Sequence, residues 1–302
     1  MNSKAKWFSL LVFVMLVWAT VYPATKSIVG EVDPLALAFL RYLLATMVLL
    51  PFYLKERRRK RDPLPWRDLR ELFLLGILGI SGFSLFLTFG IQLSTAANGS
   101  VLANSQPIFT TLLAPLIIKE RSSPLRLAGA MIGVIGVYLI VTSGKLISLE
   151  GGTFWGNVLL VAASLSISIY SILLKRYVKT YGGLIPSFLT MLSGSVFMLL
   201  VVLACPARES LSGIRPHDWL MLLYIGIVGT ALVYPLFNMA LKKVGVIRAV
   251  GFKLLIPVFG VSLSMLLIGE EPGITTFLGA FLVIASVYLI QRIPLPLRRP
   301  AG

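Results

Sequence analysis

Apolar runs of 18 or more residues recur from one end of this chain to the other. Each is long enough to cross a hydrocarbon layer of roughly 30 Å as a helix. Between them the longest polar stretch, Lys55 to Arg70, spans only sixteen residues, which leaves no room for a separate soluble domain. Charged residues make up 13% of the 302 and hydrophobic residues 57%, against about 25% charged in an ordinary soluble domain. A chain so poor in polar groups cannot cover itself in water, so the bilayer is its solvent. The first run, 7–28, follows Lys4 and Lys6 as a signal peptide would. It is too long for an apolar signal core and no polar mature region follows it, so it reads as a retained first helix.

Breakers divide the apolar sequence into ten expected transmembrane helices at 7–28, 34–54, 69–92, 95–118, 124–142, 154–174, 184–204, 217–241, 246–268 and 272–291. The connections carry Asp33-Pro34, Asp62-Pro63, Ser123-Pro124, Gly182-Gly183 and Glu271-Pro272, residue pairs that stop helices and start turns. Basic loops are retained on the cytoplasmic side of a membrane. With the N-terminus inside, 22 of the 28 lysines and arginines fall in inside segments and four in outside loops, the other two being Arg41 and Lys253 within helices. Both ends are therefore expected in the cytoplasm. The same distribution accounts for the net charge of +16 without nucleic acid, since the basic residues flank membrane spans instead of forming one basic face.

An internal repeat is legible. Residues 107–140 set against 257–290, an offset of 150 without gaps, give twelve identities in 34 positions. Apolar composition inflates matches among leucines, but it does not produce Pro107/Pro257, Glu120/Glu270, Gly129/Gly279 and Tyr138/Tyr288 at one offset. Five helices per half is an odd number, so the second half enters the membrane from the opposite side. That arrangement is common in secondary transporters, with a site near the midplane between the halves.

The string Pro107…Glu120…Gly129…Tyr138, echoed by Pro257…Glu270…Gly279…Tyr288, resembles the paired EamA domains of the drug/metabolite transporter superfamily. Trp18-Ala19 in the first helix and Pro34…Arg41 opening the second are similar to the same family. The resemblance covers about 7–291, with one unit at 7–142, a second and inverted unit at 154–291, and a basic cytoplasmic tail at 292–302. It implies a ten-helix bundle in the cell membrane with a central cavity and alternating access. It also implies small organic cargo, such as amino acids, nucleosides, sugars or drugs, often moved outward.

Several residues stand out as cavity candidates. Arg41 lies seven residues into the second helix, about 10 Å below the outer face at a rise of 1.5 Å per residue. A central arginine costs about 3 kcal/mol on insertion scales, so it should face the bundle interior. It either binds a carboxylate or phosphate with its fork, or reaches to the interface and braces helices. Lys253 enters the ninth helix from the cytoplasm and poses the same alternative, with Pro257 crowding its carbonyl one turn on. Helix four carries Asn98, Asn104, Gln106 and Thr111; Asn104, Pro107 and Thr111 share a face at three- and four-residue spacing. This density of amides exceeds what helix packing needs and favours a cavity wall, with Pro107 and Pro257 as helix kinks and gating points.

Helices one and six align at an offset of 148, which pairs Tyr22 with Tyr170 and sets Trp18 against Ser166. Tyr234 and Asn238 share a face of helix eight, and aromatic rings with polar tips suit amphipathic metabolites. Glu120 and Glu270 close helices four and nine, where a carboxylate can accept from free backbone donors, and both read as structural. All twelve acids lie in loops or near helix ends, which leaves no intramembrane carboxylate to carry a proton or sodium ion and points to a facilitator, or else to proton coupling through water or the substrate itself.

One cysteine, Cys205, and one histidine, His217, are too few for a metal centre, and no GxxxxGK[ST] loop is present for ATP. The expected partners are a small-molecule substrate and the lipid bilayer, with no cofactor, no nucleic acid and no enzymatic step. The competing class is a structural or sensory bundle. A central polar cavity reached by Arg41, Asn104 and Tyr234 would favour the carrier, and a solid interior the bundle.

Overall fold

A computed structural model describes residues 3–59, 64–117, 123–143, 152–204, 213–234, 236–237, 240 and 252–292. Among them every regular element is helical and none is a strand. The elements are α1 (Ser3–Ile28), α2 (Pro34–Arg59), α3 (Trp66–Leu93), α4 (Ala96–Ile117), α5 (Pro124–Thr142), α6 (Gly152–Tyr181) and α7 (Leu184–Ala204). These continue with α8, which starts as Pro216–Leu223, α9, whose regular part is Leu255–Ile268, and α10 (Ile274–Arg292). Among the described residues seven helices, α1 to α7, are long and apolar enough to cross a membrane. In hydrocarbon a helix satisfies its backbone groups within one segment.

The helix ends form where small polar residues and glycine dictate. Asp33 Oδ1 accepts from Leu35 N at 2.8 Å and Ala36 N at 3.2 Å, which starts α2. Thr95 accepts from Asn98 N at 3.0 Å to start α4, and Ser123 accepts from Arg126 N at 3.2 Å to start α5. Gly182 at φ 79° and Gly269 at φ 65° follow α6 and α9 in the left-handed region that suits glycine. Asp62-Pro63 lies outside the described residues.

Two helices contain wide turns. α3 is a π-helix over Ile77–Gly82, and α8 continues as one over Tyr224–Leu232. Both carry a Gly-Ile-aliphatic-Gly string, 76–79 and 226–229, at the offset of 150. Two other helices contain tight turns: a 3-10 turn at Ala103–Ser105 divides α4, and one at Phe252–Leu254 opens α9. Pro107 and Pro257 lie just past them. Each offers no N–H to the carbonyl four residues earlier, that of Ala103 or of Lys253.

α5 packs on α10, α2 on α7 and α4 on α9. The remaining main contacts fall into matched sets: α1 on α9 with α6 on α4, α2 on α8 with α7 on α3, and α3 on α6 with α8 on α1. Small residues permit the close pairs. A Cβ on Gly136 of α5 would lie 2.7 Å from the Gly279 carbonyl oxygen of α10, and one on Gly156 of α6 would lie 2.9 Å from the Gly90 oxygen of α3. Outward faces are apolar. Leu116 is 76% exposed and Leu266, its partner at the offset of 150, is 80% exposed, an arrangement suited to lipid tails and unsuited to water.

Candidate functional site

α3 and α6 run antiparallel: Gly90 meets Gly156, Gly79 meets Tyr170, and Glu71 pairs with Arg176 and with the Tyr177 hydroxyl. The α6–α7 turn therefore lies at the opposite end of the bundle from the α3–α4 turn. A cavity of about 280 Å³ extends from the middle of the bundle to the α6–α7 turn, where Gly183 and Ser187 line it.

Arg41 enters this cavity from α2 and is 7% exposed. Its Nε donates to Thr230 Oγ1 at 3.1 Å, and Thr230 in turn donates to the Ile225 carbonyl at 2.9 Å across the π turn of α8. The Arg41 guanidinium also lies 5.4 Å from the Tyr42 ring centre. Among the described residues no carboxylate pairs with it, so its outer nitrogens keep their capacity for a fork of hydrogen bonds.

Lys253, in the 3-10 turn opening α9, lines the cavity with its Nζ 5.6 Å from the Trp18 ring centre and 5.5 Å from that of Phe237. Trp18 lies edge-on to Tyr234 at 5.6 Å and tilted against Phe237 at 5.2 Å.

The Asn104 amide donates to the Tyr22 hydroxyl at 2.6 Å and to the Ser100 carbonyl at 2.8 Å. Tyr170 shares a hydrogen bond with Thr190 at 2.9 Å, and Gln106 donates to Ser171 at 2.8 Å. A side chain at Gly79 would collide with the Tyr170 ring, so glycine there allows this tyrosine its place.

Eight of the residues singled out in the sequence thus meet on one cavity wall: Trp18, Tyr22, Arg41, Asn104, Gln106, Tyr170, Tyr234 and Lys253. Asn98 and Thr111 do not line it. Asn98 is buried near the far end of α4, donating to Asn157 Oδ1 at 3.0 Å and accepting from Thr276 at 2.9 Å. Thr111 turns its hydroxyl onto the Pro107 carbonyl at 2.8 Å. Asn104 and Thr111, expected on a shared face, therefore differ: the first lines the cavity and the second does not. It is Gln106 that lines the cavity beside Asn104. Asn238 lies outside the described residues. Phe83, Phe237 and Ser171 line the cavity without a mark in the sequence, since an aromatic or serine in an apolar span is ordinary.

Around the α3–α4 turn, at the end of the bundle opposite the α6–α7 turn, charged side chains bond the main chain. Glu270 accepts from Ala96 N at 2.7 Å and Ala97 N at 2.9 Å, so the carboxylate caps α4 from the other half of the chain. Lys26 donates to the carbonyls of Ile91, Gln92 and Ser94 at the end of α3. Glu120 lies outside the described residues. Among the described residues no group of three histidine, cysteine or acidic side chains gathers as a metal site.

Comparison with known proteins gives the chain its relatives. The EamA-like transporter family matches residues 5–142 and 154–292. A protein of Archaeoglobus fulgidus named as an uncharacterized transporter is 28% identical over 96% of this chain and 98% of its own. One of the same description from Clostridium kluyveri is 27% identical over 91% of each chain. A probable terminal-alkyne amino-acid exporter of Streptantibioticus cattleyicolor is 25% identical over 99% of this chain and 97% of its own. A solved crystal structure shares the fold at a TM-score of 0.62, 20% identity and coverage of 95% and 98%. Matched along nearly its whole length, the chain belongs to the EamA-like transporter family and is a multi-pass integral protein of the cell membrane.

Proposed function

We propose that this protein is an alternating-access carrier of small organic metabolites, an exporter or facilitator of amino acids or related carboxylates. The observation that carries the reading is the mid-bundle cavity, in which Arg41 is fixed by Thr230 and joined by Lys253 with no acid on the described wall. A cation held there and left without a counter-ion is arranged to receive an anion. The amino-acid exporter from Streptantibioticus cattleyicolor agrees with cargo that bears a carboxylate.

The architecture proposed is ten transmembrane helices in two inverted units, 7–142 and 154–291, with a basic tail at 292–302 and both termini cytoplasmic. The repeat at the offset of 150 and the matched sets of helix contacts support it. In this topology the α6–α7 turn, beside Lys175, Arg176 and Lys179, faces the cytoplasm. The cavity then loads from inside, while Glu270 and Lys26 tie the outer end. Pro107 and Pro257, each beside a 3-10 turn, are the points about which α4 and α9 bend.

The test is release of a mixed metabolite load from proteoliposomes, read by mass spectrometry, for the wild type and Arg41→Ala. Selective release of amino acids or other carboxylates, lost in the variant, supports the carrier and its anion site. Release that the substitution leaves unchanged removes Arg41 from the site. No release even under an imposed proton gradient counts against transport of this class.

A further inference from the structure

The same wall narrows the cargo. An α-amino acid brings an ammonium group only a bond or two from its carboxylate. If the carboxylate lies on Arg41, the ammonium needs an acceptor or an aromatic face within the cavity. Among the described residues the wall offers no carboxylate. Trp18, the aromatic face best suited to a cation, and Phe237 beside it already hold the Lys253 ammonium at 5.6 and 5.5 Å. The Tyr22 hydroxyl accepts from Asn104 and the Tyr170 hydroxyl pairs with Thr190. The neutral oxygens of the wall, those of Asn104 and Gln106 included, carry no full charge to offset two cations. The Tyr234 hydroxyl has no hydrogen-bond partner among the described residues, and a phenol donates readily to an anion. The rest of the wall, with Phe83, Leu87, Ile167 and Ile256, is apolar.

Resting on the carrier reading above, we infer that of the two cargo classes named there the cavity takes the related carboxylates and not the amino acids. The ligand is a carboxylate with an apolar or aromatic body and no free ammonium, and Lys253 is the residue that excludes zwitterions. Lys253 fills the cation position of the aromatic cluster with a charge tethered to the protein. A second ammonium would meet both an occupied face and two like charges. An anion meets Arg41, Lys253 and the Tyr234 hydroxyl together.

Three probes of one skeleton test this on the full chain in nanodiscs: 3-phenylpropionate, phenylalanine and 2-phenylethylamine, with binding read by calorimetry. The acid is expected to bind about tenfold or more tighter than phenylalanine, the scale of one close charge contact in a partly buried site, and the amine not at all. Lys253→Met should raise phenylalanine affinity and close most of the gap, while Lys253→Arg keeps the preference. Phenylalanine binding as well as the acid, a gap unchanged in Lys253→Met, or no binding by any probe would overturn the assignment. Release from proteoliposomes separates the two claims. Binding of the acid without its release refutes transport and leaves the ligand class standing, and release of phenylalanine in preference to the acid refutes the ligand class and leaves transport standing.

Discussion

Arg41 and Thr230 lie 189 positions apart and meet at 3.1 Å, Nε to Oγ1, in the middle of the bundle. The contact depends on the π turn of α8. The Thr230 hydroxyl donates to the Ile225 carbonyl five residues back at 2.9 Å, which leaves its lone pairs facing α2. One hydroxyl thus orients the guanidinium and secures the wide turn that positions it.

Thr230→Val should therefore weaken carboxylate binding without unfolding the protein. Interhelical hydrogen bonds in membranes are worth about 0.6 kcal/mol on average and reach ~1.7, so a modest stability loss of that size is expected. Affinity for 3-phenylpropionate should fall several-fold and be restored by Thr230→Ser. Calorimetry and thermal unfolding on the same samples check both halves of the statement.

The two asparagines of α4 should separate by assay. Asn104→Ala removes the group holding the Tyr22 hydroxyl on the cavity wall and should lower affinity. Asn98→Ala strips partners from Asn157 and Thr276 away from the cavity. It should lower the unfolding temperature, at about 1–3 kcal/mol for unsatisfied buried groups, while ligand affinity stays as in the wild type.

Glu270 caps a helix in the other half of the chain, so Glu270→Ala exposes two α4 N–H groups at once. A loss of about 1–3 kcal/mol is expected in thermal or denaturant unfolding, with Glu270→Gln milder because an amide oxygen still accepts one bond. An unchanged midpoint in Glu270→Ala would show that water replaces the carboxylate without cost.

At the α5–α10 contact, Gly136→Val places a branched side chain where even a Cβ would lie 2.7 Å from the Gly279 carbonyl oxygen. Overpacking of this kind costs about 1–3 kcal/mol. Reduced yield of folded protein and a lower midpoint on gel filtration after heating are the expected results.

Much of this arrangement was legible because a membrane makes polarity expensive. Charged and amide groups in apolar spans stand out as candidates; that reasoning left Arg41 and Lys253 open between the interior and the interface, and the structure sets both beside Asn104 on one wall. Helix starts at Asp33 and Ser123 were readable from local chemistry, whereas α6 runs past its expected end at 174 to Tyr181, one residue before Gly182. The break in α4 was not readable. A 3-10 turn at 103–105 leaves no trace in composition, and Thr111 lies off the cavity that Asn104 and Gln106 line. The π turns are silent for the same reason. The partners of Asn98 and Arg41 lie 59 and 189 positions away, and no local pattern names them.

A cavity wall with two cations and no described carboxylate also bears on energetics. An anion that leaves the cell without a compensating ion moves with the inside-negative membrane potential. One elementary charge gains about 2.3 kcal/mol per 100 mV, equivalent to a concentration ratio of roughly fiftyfold. For cargo of that charge the voltage across the bilayer takes the role that a proton or sodium gradient plays in coupled carriers, and outward movement needs no titrating side chain within the bundle.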